Sequence, residues 1–226
     1  MKQMSGIAAK QRGFTLVEIA IVLVIVGLLL GGVLQGQQLI ENSRVRSAIN
    51  EVNGLRAATA AYRDRYGMLP GDDGLVAAVQ ARGPAWAAVL AGNRNGLLDG
   101  AAPAVNAAAL FTTPATEVLA FWQHLRAAGF ISGDPAAAAG ATLPTSPWGG
   151  GIAVTGLAVY GWAVGSNKVC MNNVPSSSAQ AIDTRLDDGL NATGNVRAFP
   201  GLLAQVAAPA QAAYAEPNTY TVCMIL

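Results

Sequence analysis

The side chains that could carry out chemistry are few in this sequence. His124 is the only histidine, and it lies between Trp122 and Leu125 with no serine, cysteine or aspartate motif beside it. No GxSxG, HExxH, P-loop or dinucleotide-binding pattern occurs in the 226 residues. A lone histidine cannot form a catalytic constellation without a nucleophile or an orienting acid. We therefore predict that His124 is packed in the core or exposed on the surface, and that the chain is not an enzyme.

The two cysteines, Cys170 and Cys223, both lie late in the chain. They lack CxxC spacing and have no histidine cluster nearby, so neither a redox pair nor a zinc site is indicated. If this part of the chain lies outside the cytoplasm, a disulfide is the favoured interpretation. It would close a loop of about 54 residues and stabilise the fold by roughly 4 kcal/mol in the chain-entropy model. Two buried free thiols are the alternative.

One loop, AGNRNGLLDG, has oxygen donors at a spacing that metal sites use. Asn93, Asn95 and Asp99 alternate around Gly96. An EF-hand loop needs an acid at its first position and a glutamate at its twelfth, and the twelfth residue counted from Asn93 is Ala104. We therefore predict an Asn–Gly turn and no cofactor, with calcium at the three donors as the alternative.

Charge is sparse and unevenly distributed. Charged residues make up 12% of the chain, hydrophobic residues 52%, and the net charge is +1. There is no basic block beyond residue 12, so nucleic acid is not predicted as a partner. Residues 1–13 carry three basic side chains and no acid, which is typical of a cytoplasmic N-terminus that precedes a membrane segment.

An apolar segment long enough to cross a membrane follows this basic leader. From Phe14 to Leu34 the only charged residue is Glu18, and as a helix these 21 residues would span about 30 Å. The segment is longer than the core of a secretory signal and no small-residue cleavage site follows it, so a plain signal anchor is the simplest alternative. A carboxylate at the bilayer centre costs about 2.5 to 3.5 kcal/mol. Because the segment contains no basic residue, we expect the partner of Glu18 on another molecule.

The stretch RGFTLVEIAIVLVIVGLLLGG resembles the N-terminus of type IV prepilins and of the pseudopilins of type II secretion. The match consists of a short basic leader ending in Gly13, then Phe14, the tetrapeptide TLVE and an apolar run. The resemblance implies that a prepilin peptidase cuts between Gly13 and Phe14 on the cytoplasmic side, and that the new Phe14 amine is methylated. It also implies that Glu18 serves assembly by facing the N-terminal amine of a neighbouring subunit.

A long helix is predicted to carry this segment into the rest of the chain, from Phe14 to about Tyr66, with Gly67 and Pro70 marking its end. Residues 1–13 are the predicted leader, 14–34 the transmembrane and assembly half, and 35–66 an amphipathic half. Its apolar stripe recurs mostly every three or four positions: Leu39, Val45, Ile49, Val52, Leu55, Thr59, Tyr62 and Tyr66. Many major pilins have a helix-breaking proline in this helix, which is absent here.

Residues 67–226 are predicted to form a globular domain in the periplasm or outside the cell. Pro70-Gly71 predicts a turn, and Asp72 or Asp73 is expected to cap a helix starting near Gly74, with a metal role as the alternative. A further helix is predicted to start at Thr113 or Thr116 and to end at Gly129. Its expected inward stripe is Val118, Leu119, Trp122 and Leu125.

The C-terminal third has the short, glycine-punctuated apolar runs of antiparallel strands. Strands are predicted within residues 152–162 and in the terminal TYTVCMIL. Residues 172–218 are predicted to be rich in loops, with IDTRLDDGLN as a helical turn or a loop. In type IV pilins, which the N-terminus resembles, a C-terminal loop bounded by a disulfide is the variable surface of the filament.

These elements predict a pilin-like α+β fold, in which a long N-terminal helix packs against short helices and a C-terminal antiparallel sheet. The resemblance implies a structural subunit, major or minor, of a bacterial type IV pilus. Its partners would be other pilin subunits, prepilin peptidase and an inner-membrane assembly platform. Before assembly the chain would cross the inner membrane once, with its N-terminus in the cytoplasm, and it would then join a periplasmic or extracellular filament. A type II secretion pseudopilin is the alternative, and a membrane-anchored enzyme or binding protein is the third hypothesis.

Overall fold

In the computed structural model of the chain, the first described element is a long helix and the last is a strand of an antiparallel sheet. The structure describes residues 15–99, 107–112, 114, 116–136, 142–201 and 213–226. The chain divides into two units, Met1–Asn42 and Ser43–Leu226. The helices are α1 (Leu16–Tyr66), α2 (Val76–Gln80), α3 (Ala107–Thr112), α4 (Thr116–Ala127) and α5 (Ser176–Leu186), with a 3₁₀ turn at Pro84–Trp86. The strands are β1 (Ile152–Thr155), β2 (Lys168–Pro175), β3 (Val196–Pro200) and β4 (Thr219–Ile225).

Helix α1 confirms the predicted long helix, and its apolar stripe is buried within the second unit. The buried side chains are those of Val45, Ala48, Val52, Leu55, Ala58, Thr59 and Tyr62. Leu39 lies in the first unit and is exposed. The helix ends where predicted, because Gly67 takes a left-handed conformation with φ of +71°. The backbone N–H of Gly67 donates to the carbonyl oxygen of Arg63 at 2.8 Å.

The sheet has strand order β1-β2-β4-β3, and each neighbouring pair is antiparallel. Its strands supply a large share of the core, including Ile152, Val154, Val169, Met171, Val222 and Met224. Helix α5 packs on β2, β3 and β4, and α4 contacts β1. Together with the long first helix, this arrangement confirms the predicted α+β fold.

Helix α4 confirms the predicted helix in this region. It starts at Thr116, while Thr113 lies outside the described residues. Three of the four predicted inward side chains are buried, and Leu119 is half-buried. The helix closes at Gly129, since Phe130 N–H donates to the Leu125 carbonyl at 2.9 Å as in a Schellman motif.

The predicted capping role of Asp72 and Asp73 is wrong. Helix α2 starts at Val76, and the residue before it, Leu75, makes no side-chain cap. Both carboxylates are buried and bind other parts of the fold instead. Asp73 accepts hydrogen bonds from the Tyr62 hydroxyl at 2.9 Å and from Arg82 at 2.6 Å, so it joins the turn after α2 to the end of α1.

Two predictions for the C-terminal third are confirmed only in part, since β1 covers Ile152–Thr155 and the end of α5 covers the predicted helical turn. Residues 157–162 do not continue strand β1, because the chain turns at Tyr160, whose φ is +49°, and forms only an isolated bridge between Val159 and Trp162. The region predicted as loop-rich contains α5 and β3, so IDTRL is the end of a three-turn helix and only DDGLN is loop. Residues 202–212 of that region lie outside the described residues.

Candidate functional site

The start of helix α1 is closed by a reciprocal pair of hydrogen-bonded residues. Glu18 Oε2 accepts from the backbone N–H of Thr15 at 2.8 Å and from its hydroxyl at 2.9 Å. In return, the backbone N–H of Glu18 donates to Thr15 Oγ1 at 3.3 Å. Thr15 is therefore the N-cap and Glu18 the third helical residue of a capping box. Gly13 and Phe14 lie outside the described residues.

This capping box gives Glu18 a partner that the sequence analysis did not consider. The expectation of an intermolecular partner assumed that only a basic residue would serve, whereas Thr15 satisfies one carboxylate oxygen within the chain. The pattern [ST]-x-x-[DE] before an apolar run is a known signature of this cap, and TLVE contains it. Thr15 is neutral, so a cationic partner for Glu18 during assembly stays a prediction.

Apart from Glu18, residues 16–34 of α1 are uncharged, and their large apolar side chains are exposed. Leu16 is 87% exposed, Leu28 76% and Leu34 64%. Of the helices that the structure describes, Leu16–Tyr66 is the one long and apolar enough to cross a membrane, with a mean hydropathy of 2.8 over its best 18 residues and none of that window buried. Such a helix needs lipid or other apolar helices around it.

The comparison with known families decides what this N-terminus is. Residues 8–34 match the family described as the prokaryotic N-terminal methylation motif, which is the prepilin-type cleavage and methylation motif of type IV pilins and pseudopilins. The chain carries a prepilin-type N-terminus. The motif supports a type IV pilin or pseudopilin class of protein, whose members are structural subunits and not enzymes. No curated protein and no solved structure matches the chain.

The disulfide predicted for this prepilin-type chain is present. Cys170 and Cys223 are bonded, with 4.0 Å between their Cα atoms, and both are fully buried. They face each other directly in the register of β2 and β4. The bond therefore joins two neighbouring strands at the centre of the sheet, and it encloses α5 and β3 in its loop.

The three predicted calcium donors lie together in one hydrogen-bonded loop. The side-chain amides of Asn93 and Asn95 donate to the two carboxylate oxygens of Asp99, at 3.3 Å and 2.7 Å. Asp72 supports the same loop, because its carboxylate accepts from the backbone N–H groups of Asn95 at 3.1 Å and Gly96 at 2.6 Å. Calcium at this loop stays the alternative to a turn held by hydrogen bonds.

Glu117 is a further acidic side chain at this loop, and the sequence analysis missed it. It is buried on α4, and its two carboxylate oxygens accept from the backbone N–H groups of Asn93 and Asp99, each at 2.9 Å. Burial, together with the neighbouring Asp99 side chain, raises the pKa of Glu117 to about 7. No spacing rule in the sequence links positions 93 and 117, so only the fold brings them together.

His124 is packed in the core, which is one of the two environments predicted for it. Its ring is fully buried, Nδ1 accepts from the backbone N–H of Gly71 at 2.8 Å, and Nε2 lies 2.8 Å from the Leu90 carbonyl. Because Nδ1 is an acceptor, the proton sits on Nε2 and is donated to Leu90. Burial lowers the pKa of His124 to about 4, so the neutral ring joins the two loops that flank α2 and the 3₁₀ turn.

A second acidic cluster lies in the last turn of α5 and directly after the helix. Asp183, Asp187 and Asp188 each offer a carboxylate oxygen within 4.8 Å of the others, a spacing that could hold a metal ion. All three already accept hydrogen bonds that close the turn into β3, from the hydroxyls of Tyr214 and Thr193 and from the backbone N–H groups of Gly189, Leu190, Asn195 and Val196. The cluster therefore has a local structural role.

Proposed function

We propose that this chain is a structural subunit, major or minor, of a bacterial type IV pilus. A prepilin peptidase cuts it between Gly13 and Phe14 and methylates the Phe14 amine. Before assembly, α1 crosses the inner membrane with its N-terminus in the cytoplasm. An inner-membrane assembly platform then transfers the subunit into a filament, where the apolar helices of other subunits replace lipid around α1.

The observation that supports this proposal most is the exposed apolar half of α1, which lies within the matched residues 8–34. Residues 16–34 leave large apolar side chains exposed along the whole segment, apart from the capped Glu18. Burying them against lipid or other subunits recovers about 25 cal/mol for each Å² of apolar surface. The helix is therefore suited to exchange one apolar environment for another, which filament assembly requires.

The globular unit favours a pilin over the pseudopilin of a type II secretion system. It holds a C-terminal disulfide, and disulfides persist outside the cytoplasm. A domain of this size with a disulfide-bounded C-terminal region agrees with the surface of a type IV pilin. The pseudopilin remains the second candidate, because α1 runs from Leu16 to Tyr66 without the proline of many major pilins.

Two substitutions of Glu18 test the assembly step. Glu18→Gln keeps a side chain that can complete a capping box but removes the charge, whereas Glu18→Ala removes both. We expect both variants to lose filaments, in a strain without the wild-type copy, because assembly needs the charge. The measurement is the amount of subunit in the sheared filament fraction, with subunit in the membrane as the loading control. If Glu18→Gln assembled like the wild type, the proposed charge partner would be wrong.

A further inference from the structure

We draw no further inference here: the strongest candidate, the surface cleft between α1 and the end of β4 that is lined by Arg56 and Arg63, carries none because Arg56 already donates to the Ile225 carbonyl oxygen and nothing in the structure shows what covers the rest of the cleft.

Discussion

Glu18 and Thr15 cap each other at the first turn of α1. The Glu18 carboxylate accepts hydrogen bonds from both the backbone N–H and the hydroxyl of Thr15. The Thr15 hydroxyl oxygen in turn accepts a hydrogen bond from the backbone N–H of Glu18. The partial positive charge of a helix N-terminus also favours an anion at this position. Glu18 therefore stabilises the start of α1 within the single chain. A neighbouring subunit that binds this carboxylate during assembly would have to replace its hydrogen bonds to Thr15 or bind alongside them.

Thr15→Ala should weaken this cap while the charge of Glu18 remains. Replacing an N-cap threonine by alanine costs about 1 kcal/mol, so we expect faster hydrogen exchange at the backbone amides of residues 16–18 in detergent. Filament assembly should decrease only modestly, because the carboxylate that meets the neighbouring subunit is intact. Complete loss of filaments would show instead that the hydroxyl itself is needed.

His124 predicts a loss of stability at acidic pH. An unfolded histidine takes up a proton near its ordinary pKa of 6.5, whereas the pKa of His124 in the folded chain is about 4. The unfolded state therefore binds more protons between these values, and the free energy of unfolding falls by up to about 3 kcal/mol as the pH drops through them. Denaturant unfolding of the full chain in detergent at several pH values measures this, and a His124→Gln variant should lack the dependence.

Glu117 has the opposite effect on the free energy of unfolding over part of the same pH range. Its pKa is about 7 in the folded chain and near 4.5 when unfolded, so protonation stabilises the fold as the pH falls from about 7 to about 4.5. Glu117→Gln removes this contribution, and the acid sensitivity due to His124 should then be steeper than in the wild type. An unchanged or shallower slope would contradict the assignment of the two pKa values.

The sequence predicted well those features that depend on local patterns. The long helix, its end at Gly67, helix α4 and the final strand all follow from spacing and from glycine, and each was confirmed. The capping box also follows from the pattern TLVE, although only a charged partner was predicted for Glu18. Helix α5 was predicted only at its end, as a helical turn or a loop. Its first turn is three serines, which favour caps and turns, so its burial against the sheet decides its conformation.

The features that the sequence could not predict depend on contacts between distant residues. Asp72 and Asp73 were expected to cap the nearest helix. Asp72 instead binds a loop more than twenty residues away, and Asp73 binds Arg82, which follows α2. Glu117 meets Asn93 only because α4 packs beside the loop. Trp122 is a further example, because the lack of a hydrogen-bond partner for its indole N–H within the described part of the chain follows from its tertiary packing and not from its sequence neighbours.

Removing the disulfide should destabilise the globular unit without changing its fold. The bond separates residues 53 positions apart, for which loop closure predicts a loss of roughly 4 kcal/mol. The double variant Cys170→Ala, Cys223→Ala should therefore show a lower urea midpoint and a retained sheet signal by circular dichroism. The same midpoint as the wild type would mean that the paired strands alone hold this region.

Calcium should have little effect on the stability of the 93–99 loop. Its carboxylates already accept hydrogen bonds from amide groups, so we expect the same melting temperature with a chelator and with millimolar calcium. A rise in melting temperature with calcium that disappears in Asp99→Asn would contradict this and establish the loop as a calcium site.

The intact mass of the subunit recovered from sheared filaments tests the central claim most directly. The account predicts a chain that begins at Phe14 and carries one methyl group on its amine, with Cys170 and Cys223 joined. Fragmentation would locate the methyl group on the first residue. A filament fraction that lacks the chain, or a mature chain that still begins at Met1, would contradict the proposal that this prepilin-type N-terminus is processed and assembled.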